Sequence, residues 1–269
     1  MYFVRPTFLI SAVAISFYVL FRHRKRWGAT TAAAVLWLLA FVGYSFACFR
    51  SLVPPYYESS RLDFGGRSFW VAVAGNLISP SRGLVIFVPA VLIVFYLVLR
   101  YRSFLSNRAI VNVALVCVVG QLVLVSSYRR CEAGVCLQSL WWGGHSYGPR
   151  LMTDVLPWLV LLAIYGIEAQ LQALRVGSIA RQRWLRCSGW AAATAACSLS
   201  IVINGGGAIS RASVQWNLRP TNIDWAPDRL WDWRDPQALA FLRGVRSPDI
   251  QRQESEPSPR SGSTGEARK

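Results

Sequence analysis

The stretch LWWGGHSYGPRLMTDVLPWLVLLAIYG, residues 140–166, joins a polar, aromatic turn directly to a long apolar run. The apolar run continues to Ala173 and approaches the ~20 consecutive residues that a helix needs to cross a bilayer. Because a backbone inside a bilayer must satisfy its own hydrogen bonds, the run is predicted to be helical. The stretch therefore predicts a membrane-spanning helix that begins in a motif of tryptophan, glycine, histidine and arginine.

Other apolar runs of this kind recur along the 269-residue chain, so we predict an all-α, polytopic integral membrane protein with about six transmembrane helices. Hydrophobic residues make up 54% of the chain and charged residues only 16%, against about 25% in soluble domains. The predicted spans are residues 7–21, 28–49, 84–99, 109–127, 151–173 and 187–203. After these spans, residues 204–246 are predicted to form an external cap rich in Trp and Asp. Residues 247–269 are predicted to be a disordered tail, because they are polar and rich in Pro and Ser.

Basic residues are distributed unevenly among the loops that join these spans. One set of loops holds 11 Lys and Arg in 27 positions, at residues 22–26, 100–108 and 174–186. The other set holds 7 in 56 positions, at residues 50–82 and 128–150. By the positive-inside rule the first set is cytoplasmic. We therefore predict a multi-pass protein of the cell inner (plasma) membrane, with its amino terminus and carboxyl tail on the external, periplasmic face. The same loops explain the net charge of +16, so membrane lipids and not nucleic acid are the predicted partners.

The turn at residues 141–150 has two interpretations. Tryptophans often anchor at the headgroup level, so the turn could be a capped helix start in which Arg150 and Asp154, four positions apart, form an ion pair. A guanidinium beside aromatic rings also suits a lipid phosphate that carries a sugar, because arginine binds phosphate in a bidentate manner. In this second interpretation Arg150 binds the donor phosphate. The sugar or lipid contacts would then be Trp141, Trp142, His145 and Tyr147.

A second motif, NLISPSRGLVIFVPAVL at residues 76–92, also runs from a polar turn into an apolar run. Its arginine, Arg82, lies on the same predicted face of the membrane as Arg150. Arg82 could extend from a plain turn to the lipid headgroups, or it could supply a second cation for the donor phosphate. The sequence leaves both interpretations open.

Three motifs together resemble a bacterial family of polytopic membrane proteins that is grouped with the C-type glycosyltransferases. They are S-P-S-R-G at residues 79–83, W-x-G-G-x-x-Y-G-P-R-x-x-x-D-x-L-P at residues 141–157, and a W-N and W-D-W tail at residues 216–233. Protein mannosyltransferases and lipid A aminoarabinose transferases belong to the same superfamily. The resemblance implies transfer of a sugar from a polyprenyl-phosphate donor to an acceptor on the external face. Apart from this donor substrate, no cofactor is predicted.

The matched motifs belong to the carboxyl half of such proteins, so the chain is predicted to be a partial enzyme. In the superfamily an acidic residue in the first external loop acts as general base, and that loop is missing here. Glu58 and Asp63 are the candidate replacements, and a partner chain or an upstream half could also supply the base. The alternative function is a non-catalytic membrane scaffold or a lipid-binding subunit.

Cys131 and Cys136 flank four residues in a predicted external loop. They could form a disulfide in an oxidising compartment, or they could remain reduced. A single C-x4-C pair is an incomplete metal site, and the chain has only two histidines, so no metal site is predicted.

Overall fold

The computed structural model describes residues 9–52, 62–132, 135–176 and 179–243, without the side chains of residues 9, 130–138 and 179–188. Helices dominate this part of the chain, as predicted. They are α1 Leu9–Arg22, α2 Trp27–Phe49, α3 Gly66–Ile78, α4 Leu84–Phe87, α5 Ala90–Arg100, α6 Arg108–Ser126, α7 Leu156–Val176, α8 Ile179–Ile209 and α9 Arg211–Gln215. Short 3-10 helices form at Arg24–Arg26, Arg102–Phe104, Arg150–Val155, Pro227–Trp231 and Gln237–Arg243. Strands β1 Arg129–Glu132 and β2 Val135–Ser139 pair as an antiparallel hairpin.

Four helices in the described part are long and apolar enough to cross a membrane, so the chain is a helical membrane protein. They occupy Arg24–Phe49, Arg108–Ser126, Arg150–Val176 and Gly189–Ile209. These helices coincide with the second, fourth, fifth and sixth predicted spans. The first and third predicted spans correspond to shorter apolar helices, Ile10–Arg22 and Ala90–Arg100. The count of six spans therefore stays a prediction.

The third predicted span, residues 84–99, is not one continuous helix. Val88 has a φ of −133° and a ψ of 67°, which ends α4 before α5 begins. Pro89 causes this break, because proline lacks a donor N–H and disfavours helical geometry in the residue before it. The apolar run at residues 84–99 therefore forms two helices, because its single proline interrupts the backbone hydrogen bonds without interrupting the run.

The centre of the bundle is formed by α5, α6 and α7, with α7 packed against both of the others. The buried residues of this core are Leu84, Val91, Val98, Val111, Ala114, Val118, Val125, Met152, Val155, Leu159 and Leu162. On the outer side of α6, α1 packs with Ile10 against Gly120. Trp158 at the start of α7 donates its indole N–H to the Ser11 hydroxyl over 3.0 Å. These contacts align α1, α6 and α7 side by side.

The basic turns lie together at one end of the bundle. Phe17 and Phe21 line a groove with Asn112, which brings the end of α1 beside the start of α6. The Ser106 hydroxyl donates to Glu168 Oε2 over 2.8 Å, which brings the turn after α5 beside the second half of α7. We call this the basic end. The grouping is what the positive-inside rule requires of loops on one side of a membrane.

At the opposite end, residues 210–243, here called the cap, pack over α3 and the turn that precedes α7. Ala72 of α3 contributes to a buried cluster that joins these parts. Its other buried members are Trp141, Trp142, Trp216, Ile223, Leu230 and Ala240. The cap was predicted to begin at residue 204, but α8 continues to Ile209. The first residues assigned to the cap thus extend a helix.

Replacing Gly207 with alanine is expected to destabilise the protein by about 1–3 kcal/mol, because it overpacks the contact between α8 and Tyr147. A Cβ at Gly207 would overlap the Tyr147 ring. That ring has no room to retreat, since its hydroxyl donates to the Ile203 carbonyl over 2.8 Å and its edge packs on Phe87.

Gly205 is the matched control, since a Cβ there has no atom within 4 Å. Gly205→Ala should leave stability unchanged or raise it by up to about 1 kcal/mol, because alanine favours a helix more than glycine does. Thermal unfolding in detergent micelles, followed by tryptophan fluorescence, measures both variants. Equal melting temperatures would contradict this packing.

Candidate functional site

Arg82 lies where the α3–α4 turn meets the cap, and its side chain is only 1% exposed. A guanidinium carries five N–H donors. In the structure all five are directed at protein oxygens. Nε donates to the Trp142 carbonyl (3.1 Å), Nη1 to the Ser81 carbonyl (2.8 Å) and to Gln237 Oε1, and Nη2 to the Gly144 carbonyl (3.2 Å) and to Asn217 Oδ1 (2.9 Å). Arg82 therefore joins three separate segments of the chain.

Arg82 keeps its charge in this buried position. Burial lowers the pKa of Arg82 to about 9, and the charge of Asp224 opposes this shift. A pKa of about 9 leaves the guanidinium protonated at neutral pH. The prediction that Arg82 binds a donor phosphate stays a prediction, but a phosphate would have to displace protein acceptors that already use every donor.

Gln237, which is also fully buried, extends the network around Arg82. Its Oε1 accepts from the Gly148 N–H over 3.3 Å as well as from Arg82. Its Nε2 donates to the Ser146 carbonyl over 2.9 Å and to the Ser213 carbonyl over 3.1 Å. Arg82 and Gln237 together fasten the cap to the turn before α7.

The S-P-S-R-G motif forms the tight turn that positions Arg82. The Ser79 hydroxyl accepts from the N–H groups of Ser81 and Arg82, each over 3.2 Å, and donates to the Leu230 carbonyl over 2.6 Å. A Cβ at Gly83 would come within 2.6 Å of the Ser79 backbone, so only glycine allows the chain to turn this closely. The motif is thus explained by the turn and by its contact with the cap.

Two of the predicted sugar or lipid contacts are buried, and a third, Tyr147, is half-buried. Trp141 and Trp142 are 4% and 3% exposed and belong to the cluster beneath the cap. Trp141 packs directly on Gly75 of α3, and Trp142 donates its indole N–H to Asp224 Oδ1 over 2.9 Å. Burial raises the pKa of Tyr147 to about 12, so its hydroxyl remains a donor to the Ile203 carbonyl at neutral pH.

His145, by contrast, lies on the surface beside the cap. Its Nε2 is 2.8 Å from Asn222 Oδ1 and 3.6 Å from Asp224 Oδ2. The Asp224 backbone N–H also donates to Asn222 Oδ1, over 2.9 Å, and a backbone N–H can donate only to the amide oxygen. This contact fixes the orientation of the Asn222 amide, so Nε2 of His145 must be the donor. In the neutral ring, Nδ1 then carries the lone pair that can accept a proton.

The cap turn that contacts His145, residues 222–225, also carries an exposed tryptophan. Trp225 is 83% exposed, and its backbone N–H donates to the Asn222 carbonyl over 3.1 Å. We call His145, Asn222, Asp224 and Trp225 the His145 surface. Asp224 and Trp225 fall within the predicted Trp- and Asp-rich cap, and neither was among the predicted site residues. The Asn-x-Asp-Trp run at residues 222–225 is a local signal for such a turn, because asparagine side chains often accept from the backbone two residues on.

Arg150 is exposed, and within the described residues its guanidinium makes no hydrogen bond or ion pair. The predicted ion pair with Asp154 is therefore not formed. Arg150–Val155 is a 3-10 helix, in which residues three apart align and residues four apart do not. Asp154 consequently faces inward and is 8% exposed, whereas Arg150 remains at the surface.

Of the two candidate bases, only Asp63 lies in the described part of the structure. Asp63 Oδ2 pairs with Arg129 Nη2, and its Oδ1 accepts from the Gly65 N–H over 3.1 Å, so both oxygens are engaged. Glu58 lies outside the described residues. A catalytic role for either residue stays a prediction.

The predicted disulfide also stays a prediction. Cys131 and Cys136 are opposed in the register of β1 and β2. Their side chains lie outside the described part of the structure.

Comparison with known proteins found no matching family model, no matching curated protein and no matching solved structure. Across the part of the chain that the structure describes, no group of three or more His, Cys, Asp or Glu residues could hold a metal ion. The class that the fold defines is thus a helical membrane protein whose cap is fastened by a buried arginine. The resemblance to C-type glycosyltransferases stays a hypothesis.

Proposed function

We propose that this protein is a glycosyltransferase of the cell inner membrane, which transfers a sugar from a polyprenyl-phosphate donor on the external face. The proposal includes six spans and an external cap. The His145 surface is the observation that carries it, because an imidazole held by an amide and a carboxylate lies there beside an exposed indole. These are groups that suit a sugar and a proton transfer.

Arg150 is the cation proposed to bind the donor phosphate. It differs from Arg82 in having donors that no described protein group uses. It lies five positions after His145, at the start of a helix able to cross a membrane. A phosphate at the membrane surface would thus meet a guanidinium close in sequence to His145.

His145 is the proposed general base. As the acceptor hydroxyl oxygen forms a bond to the sugar C1, its proton passes to Nδ1 of His145. The bond from C1 to the phosphate oxygen breaks at the same time, and polyprenyl phosphate leaves with the electron pair. Asp224, 3.6 Å from Nε2, stabilises the imidazolium that results. The described part of the chain would then supply a base without Glu58 or Asp63.

Replacing Arg150 with glutamine is expected to weaken polyprenyl-phosphate binding by about 10- to 100-fold. The loss corresponds to the ~1.5–3 kcal/mol of a hydrogen bond to a charged group. Binding of polyprenyl phosphate to the full chain in lipid nanodiscs, followed by tryptophan fluorescence, measures this effect.

Arg67→Gln is the matched control, since Arg67 is also exposed and lies in the first turn of α3 on the cap side of the bundle. It should bind as the unmodified protein does. If both variants bound equally well, Arg150 would not be the phosphate ligand.

Transfer itself is tested by incubating the nanodisc protein with polyprenyl phosphates that carry mannose, glucose or aminoarabinose, together with a membrane extract as acceptor. Release of polyprenyl phosphate from at least one donor is the expected result. Release from none of them, by a protein that still binds polyprenyl phosphate, would contradict the transferase.

Binding without any release of polyprenyl phosphate would favour a lipid-binding subunit or membrane scaffold. The network around Arg82 supports this alternative. Every N–H of Arg82 is used inside the protein, two of them on the cap residues Asn217 and Gln237, and Trp141 and Trp142 are packed beneath the cap. Much of the motif that resembles a transferase is accordingly used in packing.

A further inference from the structure

An apolar groove of about 300 Å³ runs along the bundle between α5, α7 and α8. Small residues on α8 and α7 leave this space, among them Gly189, Ala192, Ala193 and Ala163. From Gly189 to Cys197 the lining of α8 extends about 12 Å at 1.5 Å per residue. The groove is long and narrow, which suits one extended hydrocarbon chain.

One polar group interrupts this apolar lining. Gln170 of α7 lines the groove and is half-buried, and within the described residues its amide makes no hydrogen bond. A polar group in apolar surroundings is unfavourable unless a partner satisfies it. An ester carbonyl at the head of an acyl chain is such a partner, because it accepts from an amide N–H.

The groove ends at the basic end of the bundle. Tyr101, which lines this end, lies beneath the Arg100 guanidinium, with 5.6 Å between the guanidinium carbon and the ring centroid. Arg102 and Arg175 are exposed at the same end. Positive charge at this mouth favours an anionic headgroup, because basic residues at a membrane surface attract anionic lipids.

We propose that this groove binds one acyl chain of an anionic phospholipid from the leaflet at the basic end. The chain lies between α5, α7 and α8, Gln170 donates to its ester carbonyl, and Arg100 lies next to the phosphate. This site is at the opposite end of the bundle from the His145 surface, so it does not depend on the proposed function.

The test is lipid retention by the full chain in mild detergent, measured by native mass spectrometry with phosphatidylglycerol or phosphatidylcholine of the same acyl length. Phosphatidylglycerol should bind at concentrations at least tenfold lower. Ala193→Trp, which fills the groove, should abolish this binding. Ala191→Trp, an exposed position on the same helix that does not line the groove, should leave it unchanged.

Two milder variants test the separate contacts, and they apply even if Ala193→Trp fails to fold. Gln170→Leu should weaken retention of both lipids about fivefold, as expected for the loss of one hydrogen bond of about 1 kcal/mol. Arg100→Gln should remove the preference for phosphatidylglycerol. Equal retention by the Ala193→Trp and Ala191→Trp proteins would overturn the site, as would unchanged retention in Gln170→Leu. Equal binding of the two lipids to the unmodified protein would overturn the anionic headgroup.

Discussion

Replacing Arg82 with methionine is expected to destabilise the protein by about 3–5 kcal/mol, the range for removing one partner of a buried charged interaction. Methionine fills a similar volume but donates no hydrogen bond. Five oxygens, on Ser81, Trp142, Gly144, Asn217 and Gln237, would each lose a donor, and only the contact with Gly144 is part-buried. An unsatisfied buried acceptor costs about 1–3 kcal/mol, but the loss is smaller than five such costs because the oxygens of Gln237, Gly144 and Asn217 keep other donors.

Lysine is not expected to rescue Arg82. Its ammonium has three donors at one point, whereas the five acceptors surround a planar group and come from three segments of the chain. The Arg82→Lys protein should therefore have a melting temperature close to that of the Arg82→Met protein. Thermal or denaturant unfolding in micelles, followed by tryptophan fluorescence, measures both. Arg67→Met provides the control, as the same change at an exposed arginine. A loss below about 1 kcal/mol in Arg82→Met would show that the network does not hold the cap.

Replacing His145 with glutamine is expected to slow sugar transfer by about 10²–10⁴-fold, the usual contribution of a general base. Glutamine can still donate toward Asn222 Oδ1, so the cap contact is preserved while the basic nitrogen is lost. The expected signature is a fall in kcat with unchanged polyprenyl-phosphate binding and an unchanged melting temperature. This pattern separates a base from a residue that only holds the cap.

Asp224→Asn examines the partner of His145. Asparagine retains an oxygen that accepts from the Trp142 indole, but the charge that stabilises the imidazolium is lost. Transfer should fall, by less than in His145→Gln. Asp228→Asn, at an exposed carboxylate of the cap, should behave like the unmodified protein. If His145→Gln transferred sugar at the normal rate, the proposed base would be wrong.

The helical class and most helix positions could be predicted from the sequence because hydropathy is a local property. Runs of apolar residues at 28–49, 109–127 and 151–173 coincide with α2, α6 and α7. Clusters of basic residues likewise marked the turns that lie together at the basic end. The break at Pro89 could also have been predicted from the sequence, because proline disfavours helical geometry in the residue before it.

The roles of the two arginines could not be predicted in this way. Arg82 and Arg150 both follow a turn and precede an apolar run, so residue type and local spacing do not distinguish them. What distinguishes Arg82 is its contacts with residues far away in the sequence. It donates hydrogen bonds to Asn217 and Gln237, which are 135 and 155 positions away. His145 similarly meets Asn222 across 77 positions.

The sequence by itself thus determined that this chain is helical, where its apolar helices lie, and which turns are basic, since each depends on neighbouring residues. Only the tertiary structure decided which polar side chains are buried in packing and which remain at the surface. That division depends on the cap folding back over the turns before α4 and α7. Burial of a guanidinium is stable only where all its donors meet acceptors, and those acceptors come from segments that only folding brings together.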